Sequence, residues 1–255
     1  MTRTKISSWL SCMLALFVGV GLLSGCGQAS DNTTGSAPES TPTETAAAPT
    51  ELAAAEELAP NIPRLAGMAT VSMTVSGELI DDESNEILIE IDGEHTPITG
   101  GNFVELVDSG FYDGLIFHRV VREPQLFVVQ GGDPKGNGTG GYIEQSGKQR
   151  YIPLEIAVKD QGPVYSQAIG RSGGYIPPEL ELSHSEGAIA MARSGQPDSA
   201  SSQFYFTLAD VDFLDGDYAV FGRVIEGMDD VVQNIRQGDR IVSAKVVSGL
   251  ENLQR

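Results

Sequence analysis

Between Ala69 and Val247 the chain is cut by glycines, prolines and polar clusters into short runs of β-branched and aromatic residues, and this punctuation constrains the fold most strongly. Runs at 69–75, 87–91, 115–121, 127–130, 151–156, 188–192, 204–208, 219–224 and 240–247 have strand length, and the polar DDESN break after the first reads as a turn. Only two stretches carry helical spacing. Thr96-Pro97 offers an N-cap and a proline at the first helical position, ahead of Phe103, Leu106 and Val107, with Gly110 as the stop. Met228, Val231, Val232 and Ile235 recur at i, i+3, i+4 and i+7, with Asp229 and Asp230 in the first turn and Gly238 at the end. Many short strands and two helices predict a mainly β protein, a mostly antiparallel closed sheet whose open ends the helices plug. The folded domain is expected over residues 64–255, its first strand starting near Met68.

The N-terminal part is of another kind. Arg3 and Lys5 precede the apolar run 10–23, which is short for a membrane span and reads as the core of a secretory signal. The run ends in Leu23-Ser24-Gly25-Cys26, which resembles the lipobox of bacterial lipoproteins. That resemblance implies a signal peptide over 1–25 and a lipidated Cys26 holding the mature protein to a membrane. Residues 26–63 are mostly Ser, Thr, Ala, Pro and Glu, too poor in large apolar side chains to form a core, and are expected to be a disordered tether. Within it ELAAAEELA, residues 51–59, predicts at most a transient helix. The two cysteines, Cys12 and Cys26, provide no disulfide framework. With 35 acidic against 16 basic residues and a formal charge of −19, a nucleic-acid role is excluded, since phosphate binding needs clustered Lys and Arg.

The chemistry concentrates in residues 117–132, FHRVVREPQLFVVQGG. One fixed cation (Arg119), one amide (Gln130) and two apolar residues (Phe127, Val128) lie on consecutive strand-like segments without a nucleophile. Such a set can hold a small apolar group and polarise an amide beside it, which suits a conformational reaction better than hydrolysis. Arg122, three residues on, reads as a loop arginine. Residues 136–141, GNGTGG, satisfy a dinucleotide-binding pattern, but the following YIEQSGKQR lacks the helix such a site requires. His95, His118 and His184 have no metal-ligand spacing, and no G-x-S-x-G surrounds Ser194, Ser201 or Ser202.

FHRVV, FVVQGGDP, NGTGG, GAIAMARSG, SSQFYF and FLDGDYAVFGRVIEGMDDV stand in an order and spacing that resembles the cyclophilin-type peptidyl-prolyl cis-trans isomerases, over about residues 69–247. The resemblance implies an isomerase that assists folding of extracytoplasmic proteins, acting on proline-containing polypeptides as a monomer with no cofactor and no metal. It implies a closed eight-stranded antiparallel β-barrel with two capping α-helices, and Arg119 as the catalytic arginine, acting with Phe127 and Gln130. Phe127, Val128, Tyr205 and Leu214 fall on proline-pocket positions, and Gln130 and Gln203 on positions that hydrogen-bond the substrate backbone. Gly138, Ala192, Arg193 and Ser194 fall on the groove wall, Phe213 and Tyr218 on its far rim, and His118 beside the site. Several residues depart from the usual pattern: Val128 for methionine, Tyr205 for phenylalanine, Arg193 for asparagine, Phe213 for tryptophan and Tyr218 for histidine. YIPLEI and the terminal VVSGLENL resemble the cyanobacterial and chloroplast-lumen branch, which implies a membrane-anchored location in a periplasm or thylakoid lumen. The alternative is a non-catalytic chaperone or assembly scaffold using the same groove. Residues 157–181 are either a partner-binding loop or a decorative insertion.

Overall fold

The computed structural model describes residues 48–81 and 85–255. The signal-peptide, lipobox and Cys26 expectations, and the tether up to residue 47, lie outside the described residues. The elements run α1 (Ala48–Leu58), β1 (Arg64–Leu65), β2 (Met68–Ser76), β3 (Glu86–Asp92), α2 (Pro97–Asp108), β4 (Arg119–Val121) and β5 (Val128–Gly131). They continue as β6 (Glu155–Val158), β7 (Gly162–Tyr165), β8 (Ala188–Met191), β9 (Phe204–Thr207), β10 (Val220–Glu226), β11 (Arg240–Ser248) and β12 (Leu253–Gln254).

Eight strands form the main sheet in the order β11-β2-β3-β10-β8-β9-β5-β4, every neighbouring pair antiparallel. The expectation of a closed barrel is corrected: the sheet is an open, curled half-barrel. Its end strands β4 and β11 share no ladder, because residues 115–118, expected to extend β4, are not strand. They meet β11 through one isolated bridge, Ile116 to Arg240, and flanking backbone bonds such as Phe117 N–H to Asp239 O at 2.8 Å.

Period-two alternation places one face of each strand inside. On β2 and β3 the inward residues are Val71, Met73, Val75, Ile87, Ile89 and Ile91, all fully buried. Helix α2 closes the core from one side with Ile98, Phe103, Val104, Leu106 and Val107. Phe103 meets Phe204 edge-on at 5.5 Å and Phe221 at 5.1 Å. Gly101 is needed for this docking: a Cβ there would stand 2.3 Å from Pro63 O.

Four local expectations change. The Thr96 side chain does not cap α2; its hydroxyl bonds Asp92 O, and the buried Glu155 carboxylate accepts Ile98 N–H (3.2 Å) and Thr99 N–H (2.7 Å) instead. The helix expected over 228–238 is a series of turns with a single 3₁₀ turn, Val232–Asn234. Side chains there take backbone groups a helix would need: Asn234 Nδ2 donates to Asp229 O and Asp230 O, Arg122 to Ile235 O, and Asp239 Oδ2 accepts Arg236 N–H. Conversely, α1 forms in the stretch expected to be tether and buries Ala55 in the main core, with Ala59 just beyond its end buried there too. Last, the stretch 157–181, expected to be a loop or insertion, contains β7, which pairs with β6 as a hairpin.

Candidate active site

Alternation gives the central strands a second apolar face. Ile189, Met191, Phe204, Phe206, Val129 and Phe221 point into the main core, while their chain neighbours Ala188, Ala190, Tyr205, Val128 and Val220 form a separate cluster on the outer face. Phe127, Leu182, Ala192, Leu214 and Tyr218 pack around it, partly buried. Thus the four residues expected to form the apolar pocket, Phe127, Val128, Tyr205 and Leu214, are brought together from β5, β9 and the loop after β9.

A polar row borders this cluster. Antiparallel pairing of β4 with β5 sets Arg119 opposite Gln130, and pairing of β5 with β9 sets Gln130 opposite Tyr205. Arg119 Nη1 donates to Gln130 Oε1 at 3.3 Å, and Gln130 Nε2 donates to Gln203 Oε1 at 2.9 Å. Gln203 Nε2 donates in turn to Gly138 O (3.1 Å) and Gly140 O (2.8 Å). The Arg119 guanidinium is exposed, lies 5.7 Å from the Phe127 ring centre and makes no salt bridge among the described residues. It is a cation held over an apolar surface with donors to spare.

The loop receiving Gln203 is set by buried Asp133, which accepts the backbone N–H groups of Lys135 (2.8 Å), Asn137 (2.9 Å) and Gly138 (2.6 Å). Burial raises the Asp133 pKa, but these amides and that of Gly140 outweigh it and hold the carboxyl below its ordinary value. His118 lies against Gly138; burial, with Arg119 adding to it, lowers its pKa and keeps the ring neutral at pH 7.

The other wall is braced from behind. Tyr205 Oη is 2.9 Å from His184 Nε2, and His184 Nδ1 is 2.7 Å from Asp215 Oδ1, which also accepts His184 N–H at 2.8 Å. A carboxylate only accepts, so Nδ1 donates to Asp215, which leaves Nε2 to accept a hydrogen bond from the Tyr205 hydroxyl. Burial pushes the Tyr205 pKa well up, so the phenol stays protonated. Asp215 directly follows the 3₁₀ turn Asp212–Leu214; Phe213 on that turn stacks on Phe127 at 5.7 Å and Leu214 reaches the apolar cluster. Arg193 lies 4.9 Å over the Tyr218 ring and donates to Asp217 O at 2.8 Å. Gly138, Ala192, Arg193, Ser194 and Gln203 line a neighbouring cavity of about 460 Å³.

The structure therefore gathers Arg119, Phe127, Val128, Gln130, Gly138, Ala192, Arg193, Ser194, Gln203, Tyr205, Phe213, Leu214 and Tyr218 along one continuous surface, with His118 beneath Gly138. Arg122, by contrast, points away and donates to Ile235 O at 3.0 Å. Sequence reasoning missed Asp133, His184 and Asp215. No local pattern marks the last two, since Tyr205 and His184 are 21 positions apart and His184 and Asp215 31.

A family model described as cyclophilin type peptidyl-prolyl cis-trans isomerase/CLD matches residues 70–251. The chain is 43% identical over 208 residues to a putative thylakoid lumen peptidyl-prolyl cis-trans isomerase of Synechocystis sp., covering 78% of this chain and 52% of that protein. It is 39% identical over 206 residues to the chloroplastic peptidyl-prolyl cis-trans isomerase CYP38 of Arabidopsis thaliana, covering 76% and 45%. The chain thus spans about half the length of these relatives. Among solved structures, a cyclophilin type peptidyl-prolyl cis-trans isomerase of Cryptosporidium parvum, crystallised in the presence of the dipeptide Ala-Pro, aligns with TM-score 0.52 at 25% identity, over 70% of this chain and 99% of that one.

Proposed function

The chain belongs to the cyclophilin-type peptidyl-prolyl cis-trans isomerase family, and from that footing we propose that it catalyses cis-trans isomerisation of X-Pro bonds in polypeptide clients. The observation that carries the reading is the row Arg119–Gln130–Gln203 running along the edge of an outer apolar cluster. Rotation about an X-Pro bond must surmount a barrier of about 18–20 kcal/mol, because the amide C–N bond has partial double-bond character. No covalent step is needed; the surface has only to bind the twisted amide better than either planar form. The pyrrolidine ring enters among Phe127, Val128, Tyr205 and Leu214, where each buried methylene contributes about 0.8 kcal/mol. As conjugation is lost, electron density returns to the prolyl nitrogen and the carbonyl becomes an ordinary dipole. Arg119, oriented by Gln130, donates toward that amide as it twists, and Gln130 and Gln203 hold the peptide backbone. The groove wall at Gly138, Ala192, Arg193 and Ser194 receives the extended chain, with Phe213 and Tyr218 as its far rim.

Isomerisation of a short Ala-Pro peptide by the protein tests the reading. Wild type accelerates exchange, and Arg119→Ala lowers kcat/KM by about 10²-fold, the scale of losing one preorganised donor. Equal inactivity of both proteins, with both suppressing aggregation of an unfolded client, would instead establish a chaperone or scaffold.

Similarity to lumenal and chloroplastic relatives, together with the basic-apolar start, supports a proposed extracytoplasmic location in a periplasm or thylakoid lumen. The LSGC sequence supports membrane attachment through Cys26. Fractionation checks this: Cys26→Ser moves the protein from the membrane fraction to the soluble one, and unchanged membrane association rejects the anchor.

A further inference from the structure

The segment between β7 and β8 is not a loose appendage, because it is bonded to the loop that carries the far rim of the groove. Ile169 N–H and Gly170 N–H both donate to Gly216 O, at 2.9 and 3.1 Å, and Ser172 N–H donates to Asp217 Oδ2 at 2.8 Å. The fit is close at Gly170, where a Cβ would stand 2.2 Å from Asp215 O. Through these bonds the segment stands beside Tyr218, and it borders two hollows. One, of about 500 Å³, is shared between Ala168 and Ser172 of the segment and Arg193, Ser194 and Tyr218 of the groove. The other, of about 660 Å³, is lined by Arg171, Tyr175, Ile176 and Pro177 of the segment and by Asp212 and Asp215 of the rim loop. Asp212 begins the 3₁₀ turn that sends Phe213 and Leu214 to the apolar pocket. The first hollow thus opens on the groove at Arg193, Ser194 and Tyr218, and the second borders, at Asp212 and Asp215, the turn that carries Phe213 and Leu214.

Two large apolar side chains stand in water on this ledge, Tyr175 at 55% and Ile176 at 94% exposed, rimmed by the charged Arg171, Glu179, Asp212 and Asp215 of the same hollow. Adjacent exposed large apolar side chains at the margin of a groove mark a contact surface. We infer that residues 168–177 form an accessory subsite that holds an unfolded polypeptide client while its proline occupies the pocket, taking up a bulky apolar side chain of that client against Tyr175 and Ile176. The inference rests on the isomerase reading of the groove. Length sets its reach: an extended tetrapeptide spans at most about 14 Å, whereas about twelve residues span about 40 Å and can occupy pocket and ledge together.

The test compares the full chain with its Tyr175→Ser/Ile176→Ser variant on two substrates, an Ala-Pro tetrapeptide and a labelled peptide of about twelve residues with a central Ala-Pro and leucines towards either end. The double variant keeps tetrapeptide kcat/KM within about twofold and weakens binding of the long peptide, read by fluorescence anisotropy, by about tenfold. Restoring an aliphatic side chain, as in Ile176→Leu alone, leaves long-peptide affinity unchanged. Equal losses on both substrates, or none on either, overturn the subsite. So does a change confined to sedimentation, which would assign the ledge to a second copy of the chain, or to vesicle binding, which would assign it to a lipid surface. Binding is scored apart from turnover: a wild type that binds the long peptide through Tyr175 and Ile176 yet turns over neither substrate supports the ledge and rejects the catalytic reading.

Discussion

At the scale of residues, the pocket is distinguished by the chain Asp215–His184–Tyr205. It joins a residue of β9 to the loop that supplies Phe213 and Leu214, so one buried imidazole fixes two walls relative to each other. Tyr205→Phe removes a single hydroxyl and leaves His184 Nε2 buried without its partner, since that side chain is 0% exposed. The expected outcome is a loss of about 1–3 kcal/mol in urea unfolding and a severalfold rise in KM for an Ala-Pro peptide, with kcat less affected. Asp215→Ala reproduces the rise in KM, whereas Asp215→Asn, which keeps an acceptor oxygen, stays near wild type. A Tyr205→Phe protein unchanged in both stability and KM would dismiss the brace. Little of this was legible beforehand. The place of Tyr205 is readable from its motif, but no local pattern gives its hydroxyl a partner, because His184 and Asp215 lie 21 and 31 positions along the chain from the residues they bond. Arg119, Gln130 and Gln203 were easier, since strand pairing puts motif residues side by side.

At the scale of elements, the β6–β7 hairpin supplies the cap that α2 lacks in its own sequence. Glu155 is fully buried and bonds two amides at the α2 N-terminus, an arrangement that favours the carboxylate, but burial is the larger effect and raises its pKa from 4.5 to about 7. The folded chain therefore keeps this proton up to about pH 7, while the unfolded chain releases it near 4.5. The contribution of Glu155 to stability is greatest below about pH 4.5, declines as pH rises through the interval to about 7, and then levels off, a span on the order of 3 kcal/mol. Glu155→Gln cannot titrate. Urea unfolding of both proteins from pH 5 to pH 8 should therefore show wild-type stability, relative to the variant, decreasing with pH up to about 7; a flat or rising difference would contradict the assignment. Elements were legible where period governs burial, as in β2, β3 and α2. They were misread where side chains outside the period decide: Asn234 and Arg122 take carbonyls from the expected second helix, and β7 contains Gly162 and Pro163, poor strand formers tolerated in a two-stranded hairpin.

At the scale of the whole molecule, the folded region is tied at both ends. β1 pairs with β12, Arg64 with Gln254 and Leu65 with Leu253, and Arg255 pairs with Asp108 at the end of α2. Leu65 and Ala55 are both fully buried in the main core, although they precede β2, where sequence periodicity first becomes visible. A two-residue strand carries no period, and an Ala-rich helix shows little apolar contrast, so neither announces itself; Leu65 fills a gap beside Gly100 on α2, and the backbone of Pro63 and Arg64 passes over Gly101. That gap gives a prediction. A chain beginning at Met68 leaves the Leu65 site on α2 open and β12 unpaired, and loses at least about 2–5 kcal/mol in urea unfolding relative to one beginning at Ala48, the range for vacating a buried leucine. Leu65→Ala in the full chain falls in the same range without removing the β1–β12 pairing. Neither change touches residues that line the cavities beside Arg193, so the isomerisation rate per folded molecule should stay at the wild-type level. Identical unfolding midpoints for the chains starting at Ala48 and Met68 would show that the domain is complete from β2 onward and that α1 and β1 only rest on it.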